Sequence, residues 1–412
     1  MPTTSLLTGL TEPAGIADPY PLYDELRALS PVAGYQDWPP GTVPGLDEPV
    51  TAWALFRYDQ VFEAAKDSAT FSSRDPIQEG SSAPSLMLVN TDPPTHTAER
   101  KLVSQAFSPR RVRQLGGWLD GLVPRLLDEI GDGEIDVMSF AAEVPTRAMV
   151  RLLGLPDGDH VRFKRWANAF MLSSSMSPQE RMASNQEMVG AFAQRLSEHS
   201  QRLGAGEGGS AGDVEAADDL ISALLRAEVD GQRLTPEEIV RFCVTLVVAG
   251  SETTTYLIGN LLHALAAEPA VTARLRADRS LLNTFVEETM RLTGPPQRLF
   301  RIATCDVEIA GSVIREGDWV ALFFGAANRD PAVFDDPGRL DLDRPNIRAQ
   351  LSLGHGLHFC LGAALARLEV IAILGAVLDR YGTIALGERP ARKQEASLLT
   401  HGYTQLPLAL SR

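Results

Sequence analysis

The spacing of apolar and polar positions divides this chain into a mixed opening stretch, a long helical middle and a strand-containing remainder. Tyr20 to Ala28 carries apolar residues at helical spacing, whereas Thr51 to Tyr58 alternates with the two-residue period of a strand. Between them, Trp38 to Pro49 is rich in proline and glycine and reads as a loop. From about Ala98 to Leu275 the helical spacing is nearly continuous, with one clear break at the Gly/Ser/acidic stretch Gly204 to Asp219, predicted as a surface loop. Strand-like runs return after Arg301, at Val307-Glu308-Ile309 and Trp319 to Phe324, and Arg329 to Gln350 is irregular. No repeat or linker separates two cores. Residues 1–412 are therefore expected to form one domain, mainly α with a smaller β-rich part.

One helix stands out. Thr235-Pro236-Glu237-Glu238 has the form of a capping box with proline in the first turn, and the helical pattern continues to about Ala267. That is roughly 30 residues, or about 45 Å. Val244 to Ala249 is apolar on nearly every side and must be buried, yet a polar run follows at once: Gly250-Ser251-Glu252-Thr253-Thr254-Thr255. A carboxylate buried without a partner costs several kcal/mol, so Glu252 either has a function or points to solvent or a salt bridge. Glycine weakens the helix and threonine hydroxyls compete for its carbonyls, which predicts a local distortion here.

A second stretch carries the clearest chemistry: Leu353-Gly354-His355-Gly356-Leu357-His358-Phe359-Cys360-Leu361-Gly362, followed by a helical run from Ala363. Glycines let the backbone approach a large flat ligand. A cysteine at a helix start feels the helix's positive end, which favours the thiolate. A single thiolate offered by a tight loop suits haem iron better than a closed zinc site. A structural buried cysteine and a His355/His358/Cys360 zinc cluster are the alternatives.

Composition narrows the class. With 412 residues, 44% hydrophobic and 22% charged, the chain reads as a soluble globular protein. Its net charge of −15 argues against a nucleic-acid partner. Three cysteines cannot build a disulfide framework, which fits a reducing cytoplasm. Met1 to Ser5 lacks the basic and apolar regions of a secretory signal, and the apolar tract Phe242 to Gly250 falls short of the ~20 residues of a membrane span. Against this acidic background Arg100, Lys101, Arg110, Arg111 and Arg113 are set against only Glu99, as a solvated helix face or as a cationic patch.

The cysteine loop resembles the haem-binding loop of the cytochrome P-450 monooxygenases, Phe-Gly-x-Gly-x-His-x-Cys-x-Gly with Ala-Arg-x-Glu beyond it. Leu353 stands where that family usually has phenylalanine. Ala249, Gly250, Glu252, Thr253 and Thr254 are similar to its Ala-Gly-x-(Asp/Glu)-Thr-Thr signature. The resemblance implies a cytochrome P-450 fold with haem b (iron protoporphyrin IX) between the long helix and the helix after the cysteine loop. Cys360 is then the axial iron ligand, Gly362 and Ala249 adjoin the haem, Glu252 relays protons and Thr253 stabilises the activated oxygen. His96, Arg100, Arg301 and His358 match contacts to the haem propionates. Glu288 and Arg291, with Arg339 or Arg344 as third member, match a charged brace that locks the fold. By position, Leu86 to Val89 (Leu88 among them), Phe170 to Leu172, Thr245, Val248, Ala249, Gln297, Leu299 and Leu399 are candidate pocket residues. Thr245 and Gln297 would bond either the substrate or a backbone group.

The implied activity is insertion of one atom of dioxygen into a mainly hydrophobic small molecule, by hydroxylation or epoxidation. The substrate would be a secondary metabolite or a catabolic compound. Without a flavin or nicotinamide fingerprint of its own, the chain should draw electrons from NAD(P)H through a separate ferredoxin and ferredoxin reductase. Nucleic acid and membrane are not expected partners. A non-catalytic haem sensor and a peroxide-driven enzyme are the rival readings; neither has an evident use for the Glu252–Thr253 pair.

Overall fold

The computed structural model describes residues 3–37, 48–75, 86–170, 176–204 and 219–412, and within them helices predominate beside four small sheets. The predicted loops fall largely outside this set, at 38–47 and 205–218. Helix Pro109–Ile130 buries Leu115, Leu119, Leu122, Val123, Leu126 and Leu127, a three- and four-residue repeat that makes one apolar stripe. Most of that stripe shares a core with Ile373, Leu374 and Val377 of helix Ala363–Arg380 and with Leu257, Leu261 and Leu265 of helix Glu252–Ala267. The helix leaving the cysteine loop is thus fixed against the central helix.

Thr235 caps helix Pro236–Gly250 as its sequence predicts. Its Oγ1 accepts the Glu238 N–H at 3.2 Å, and Glu238 Oε2 accepts the Thr235 N–H at 2.7 Å. Thr235→Ala should lower stability by about 1 kcal/mol. The measurement is the urea midpoint, shifted at constant slope; an unmoved midpoint would mean that water replaces the cap fully.

The helix does not run unbroken to Ala267. Ser251 leaves the regular ladder, with φ −99° and ψ −65°, and a second helix starts at Glu252. A Cβ on Gly250 would stand 3.1 Å from Met149 Sδ, so close packing on helix Met138–Leu152 explains the glycine. Taken together, the 32 residues Pro236–Ala267 are long and apolar enough to cross a membrane, which revises the impression given by the short apolar tract alone. However, 72% of their most apolar window is buried inside the protein, so this is a core helix.

The largest sheet orders its strands Val32–Asp37, Val50–Leu55, Trp319–Leu322, Leu299–Ala303 and Phe71–Ser72. Val50–Leu55 and Trp319–Leu322 pair in parallel, and the other neighbours are antiparallel. The strand predicted over Thr51 to Tyr58 ends at Leu55, because the Tyr58 N–H is held by Asp330 Oδ2 at 2.8 Å and opens helix Tyr58–Lys66. The Trp319 strand likewise stops at Leu322, before the short helix Phe324–Ala327. Strand Gly133–Asp136 pairs with Pro407–Ser411 and has no counterpart in the periodicity.

Candidate active site

The cysteine loop is built on two left-handed glycines, Gly354 at φ 73° and Gly356 at φ 66°. A Cβ on Gly356 would also stand 3.2 Å from Ala65 O and Lys66 Cα. Cys360 N–H closes the loop on Leu353 O at 2.9 Å. Leu353 itself packs against the main core, and Phe62 covers the His355 ring with centroids 4.2 Å apart. At Cys360 the Gly362 and Ala363 N–H groups and the Arg100 and Arg367 guanidiniums favour the thiolate, but burial is the larger effect and holds the thiol above its ordinary pKa. The backbone N–H groups at the helix start thus act in the direction the sequence predicts, but do not outweigh burial by themselves. A bound metal cation would.

Zinc is the wrong metal here. His355 lies against Phe62, and both nitrogens of His358 are engaged: Nδ1 with Leu88 O at 3.0 Å, Nε2 with Ser73 Oγ at 2.9 Å. Among the described residues no group of three or more His, Cys, Asp or Glu side chains is placed for a metal ion.

Around the cysteine the fold collects positive charge. Arg100 Nη2 donates to Phe359 O at 2.9 Å, and the His96 and His358 rings lie 4.5 Å apart. Arg301 is buried on strand Leu299–Ala303, where its one hydrogen bond among the described residues goes to Phe300 O at 2.7 Å. Desolvation lowers its pKa to about 10 despite the nearby Asp92. Burial, then Arg301 and His96, hold His358 neutral with a pKa lowered to about 4. Among the described residues neither nitrogen of the fully buried His96 has a hydrogen-bond partner. A buried guanidinium and an orphaned imidazole next to a glycine-walled thiol fit the two carboxylates and flat macrocycle of haem.

On the long helix, Ala249 is exposed in the middle of a buried apolar run, which marks it as a cavity wall. Thr253 Oγ1 donates to Ala249 O at 2.7 Å. Its lone pairs are left to accept from a group in the cavity. Glu252, the preceding residue, is half-buried.

The brace forms with Arg344, not Arg339. Glu288 Oε1 accepts from Arg291 Nη2 and Arg344 Nε, both at 2.8 Å, and Oε2 accepts Arg291 Nε at 2.8 Å. Arg339 offers only its carbonyl, to both arginines at 3.1 Å. Its side chain is 63% exposed and pairs instead with Asp336 and Asp341, near the left-handed Asp336 at φ 45°.

The candidate pocket divides. One apolar cluster holds Leu88 and Val248, with Leu86, Phe170, Leu361 and Leu399 packed against it. Met171 and Leu172 lie outside the described residues. Thr245 belongs to the same helix face but gives its hydrogen bond to Arg241 O at 2.9 Å. Gln297 is not a pocket residue: it is fully buried, donates to Gly294 O at 2.7 Å and accepts from Tyr23 Oη at 3.2 Å. Leu299 packs on the sheet's cluster instead, since its strand register with Leu322 turns it that way. Sequence reasoning missed Ser73, whose Oγ meets His358 Nε2 at 2.9 Å, and Asp92, whose Oδ1 accepts the Ser73 N–H at 3.0 Å; both lie in irregular segments with no periodic signal.

Comparison with known proteins agrees with this geometry. The family model for cytochrome P-450 matches residues 160–406. The cytochrome P-450 monooxygenase PikC of Streptomyces venezuelae is 36% identical over 385 residues, covering 91% of this chain and 86% of that protein. The erythromycin C-12 hydroxylase of Saccharopolyspora erythraea is 34% identical over 396 residues, covering 93% and 96%. The crystal structure of CYP109E1 from Bacillus megaterium with corticosterone superimposes with a TM-score of 0.81 at 31% identity, over 96% of this chain and 99% of that one. The thiol loop, the distorted helix and the buried brace occur together because this chain belongs to the cytochrome P-450 family of haem-dependent monooxygenases.

Proposed function

We propose that residues 1–412 form a single haem b monooxygenase domain that hydroxylates or epoxidises a large, mainly apolar ring compound. The observation that carries this reading is Cys360, presented by a glycine loop close to the Arg100 and Arg367 guanidiniums. Cys360 would hold the iron; Arg100, Arg301 and His96 would hold the propionates, with His358, its Nδ1–H committed to Leu88 O, packed beside His96; Gly362 and Ala249 leave room for the macrocycle. When bound, the haem supplies the dioxygen-activating, thiolate-supported iron. Thr253 Oγ1 holds a proton donor in the cavity, and Glu252 passes protons to it from the solvent side. Leu88, Val248 and Leu399 exclude water and hold the apolar substrate. Relatives named for erythromycin or crystallised with corticosterone support the substrate class.

Electrons would come from NAD(P)H through a ferredoxin and its reductase. Arg110 and Arg113 are exposed at the start of helix Pro109–Ile130 and would receive an acidic donor. A cytoplasmic location accords with three free cysteines. The test is the absorption spectrum of haem-loaded protein, reduced under carbon monoxide. The strongly red-shifted Soret band of thiolate ligation is the expected result. A band at the usual histidine–haem position would refute the role of Cys360.

A further inference from the structure

A second cavity, of about 70 Å³, shares no lining residue with the site described above. Helix Glu252–Ala267 contributes Asn260 and His263, and helix Leu282–Thr293 contributes Thr289. Lys393, His401 and Tyr403 close it from the C-terminal strands Arg392–Lys393 and Tyr403–Gln405 and the turn before the latter. Two of these side chains are buried with an atom unsatisfied. Thr289 is 2% exposed, and its Oγ1 has no partner among the described residues, not even a carbonyl of the preceding helical turn. His401 is 1% exposed; its Nε2 meets the Ala17 carbonyl at 3.0 Å and so carries the proton, while Nδ1 has no partner. Burial, then the Lys393 charge, keep the ring neutral with a pKa lowered to about 4, so Nδ1 offers a bare lone pair. Lys393 has the opposite need. It pairs across the strands with Tyr403, its Nζ lies 5.8 Å from that ring, and His263 stacks on the same ring at 4.8 Å. No Asp or Glu lines the cavity, and Asp18, the acid that acts on Lys393, does not offset the cost of burying the ammonium. An occupant must therefore accept from a cation and donate to a lone pair. Chloride meets only the first demand. The space exceeds the ~30 Å³ share of one water molecule, and a small oxyanion that keeps an O–H meets both.

We propose that this cavity binds a small oxyanion that retains an O–H, of the hydrogen phosphate or bicarbonate kind: Lys393 takes an anionic oxygen, His401 Nδ1 accepts the O–H, and the Thr289 hydroxyl bonds a further oxygen. The site is independent of the haem reading. Its occupant would join helix Glu252–Ala267 to helix Leu282–Thr293, which carries Glu288 and Arg291 of the brace.

The test is isothermal titration calorimetry of the full-length protein as purified, with inorganic phosphate, bicarbonate and sulfate at matched pH and ionic strength. Phosphate or bicarbonate should bind at one saturable site, and the tighter of the two identifies the occupant. Sulfate resembles hydrogen phosphate in shape and charge but has no O–H at neutral pH. It should bind at least roughly tenfold more weakly than the tighter oxyanion, because the His401 lone pair would face an oxygen lone pair. Lys393→Met keeps the reach of the side chain but removes its charge, and should weaken that oxyanion roughly tenfold or more. Thr289→Val, close in shape, should weaken it about threefold and serves if Lys393→Met does not fold. No saturable heat from either oxyanion, sulfate binding as tightly as they do, or unchanged affinity in both variants would overturn the proposal.

Discussion

Glu288→Gln should destabilise the fold by about 3–5 kcal/mol, a large part of the roughly 5–15 kcal/mol that holds a typical protein folded. The carboxylate, Arg291 and Arg344 have side chains 0%, 0% and 3% exposed. Both guanidiniums depend on Glu288 for charge compensation; among the described residues their other contacts are carbonyls of Asn328, Asp335, Asp336, Pro337 and Arg339 and, for Arg291, the Phe334 ring. Glu288 Oε1 also accepts the Asp341 N–H at 3.0 Å, so the same oxygen pins the segment that leads to the cysteine loop. Glutamine keeps the volume but removes the anion, leaving two buried cations without a counter-charge. Arg339→Ala is the internal control: at 63% side-chain exposure it should change stability by no more than about 0.5 kcal/mol. Urea unfolding of the two variants measures the difference. Equal effects would contradict the assignment of Arg344 as third member of the brace.

That choice between Arg339 and Arg344 shows what the sequence could and could not tell. Both arginines lie within a few residues of each other after Pro337, and only the folded path of that segment, not the spacing, shows which one faces Glu288. Local signals were legible: the Thr235–Glu238 box, the distortion at Ser251 and the left-handed glycines of the loop all follow from neighbouring residues. Non-local pairings were not. Strand Gly133–Asp136 exists because Pro407–Leu410, more than 270 positions later, supplies its hydrogen bonds. Gln297 looks like a pocket residue by position and is instead the polar centre of a cluster containing Tyr20 and Tyr23. Glu99 looks like surface charge, and the fold buries it as the acceptor for the Thr91 hydroxyl. In each case a polar side chain found its partner through the fold, which periodicity does not encode.

Thr253→Val should cut product formed per electron pair by roughly tenfold to a hundredfold, with hydrogen peroxide released in its place. Valine matches threonine in shape, so the packing at the Ser251 break survives while the hydroxyl is lost. In the parent that hydroxyl is fixed by its 2.7 Å bond to Ala249 O, which commits the proton and leaves the lone pairs for a donor in the cavity. Thr253→Ser keeps the hydroxyl and should retain most of the coupling, which separates loss of the oxygen from loss of shape. Substrate binding, read by the spin-state shift, should move less than about threefold in both variants, because neither changes the apolar wall of Leu88, Val248 and Leu399. Unchanged coupling in Thr253→Val would remove proton handling from this residue and revive the peroxide-driven reading. Full turnover with hydrogen peroxide alone, at the rate of the complete electron chain, would then establish that reading. A loss confined to Thr253→Val and spared in Thr253→Ser would assign the effect to the hydroxyl itself, which serves Ala249 O with its proton and the cavity with its lone pairs.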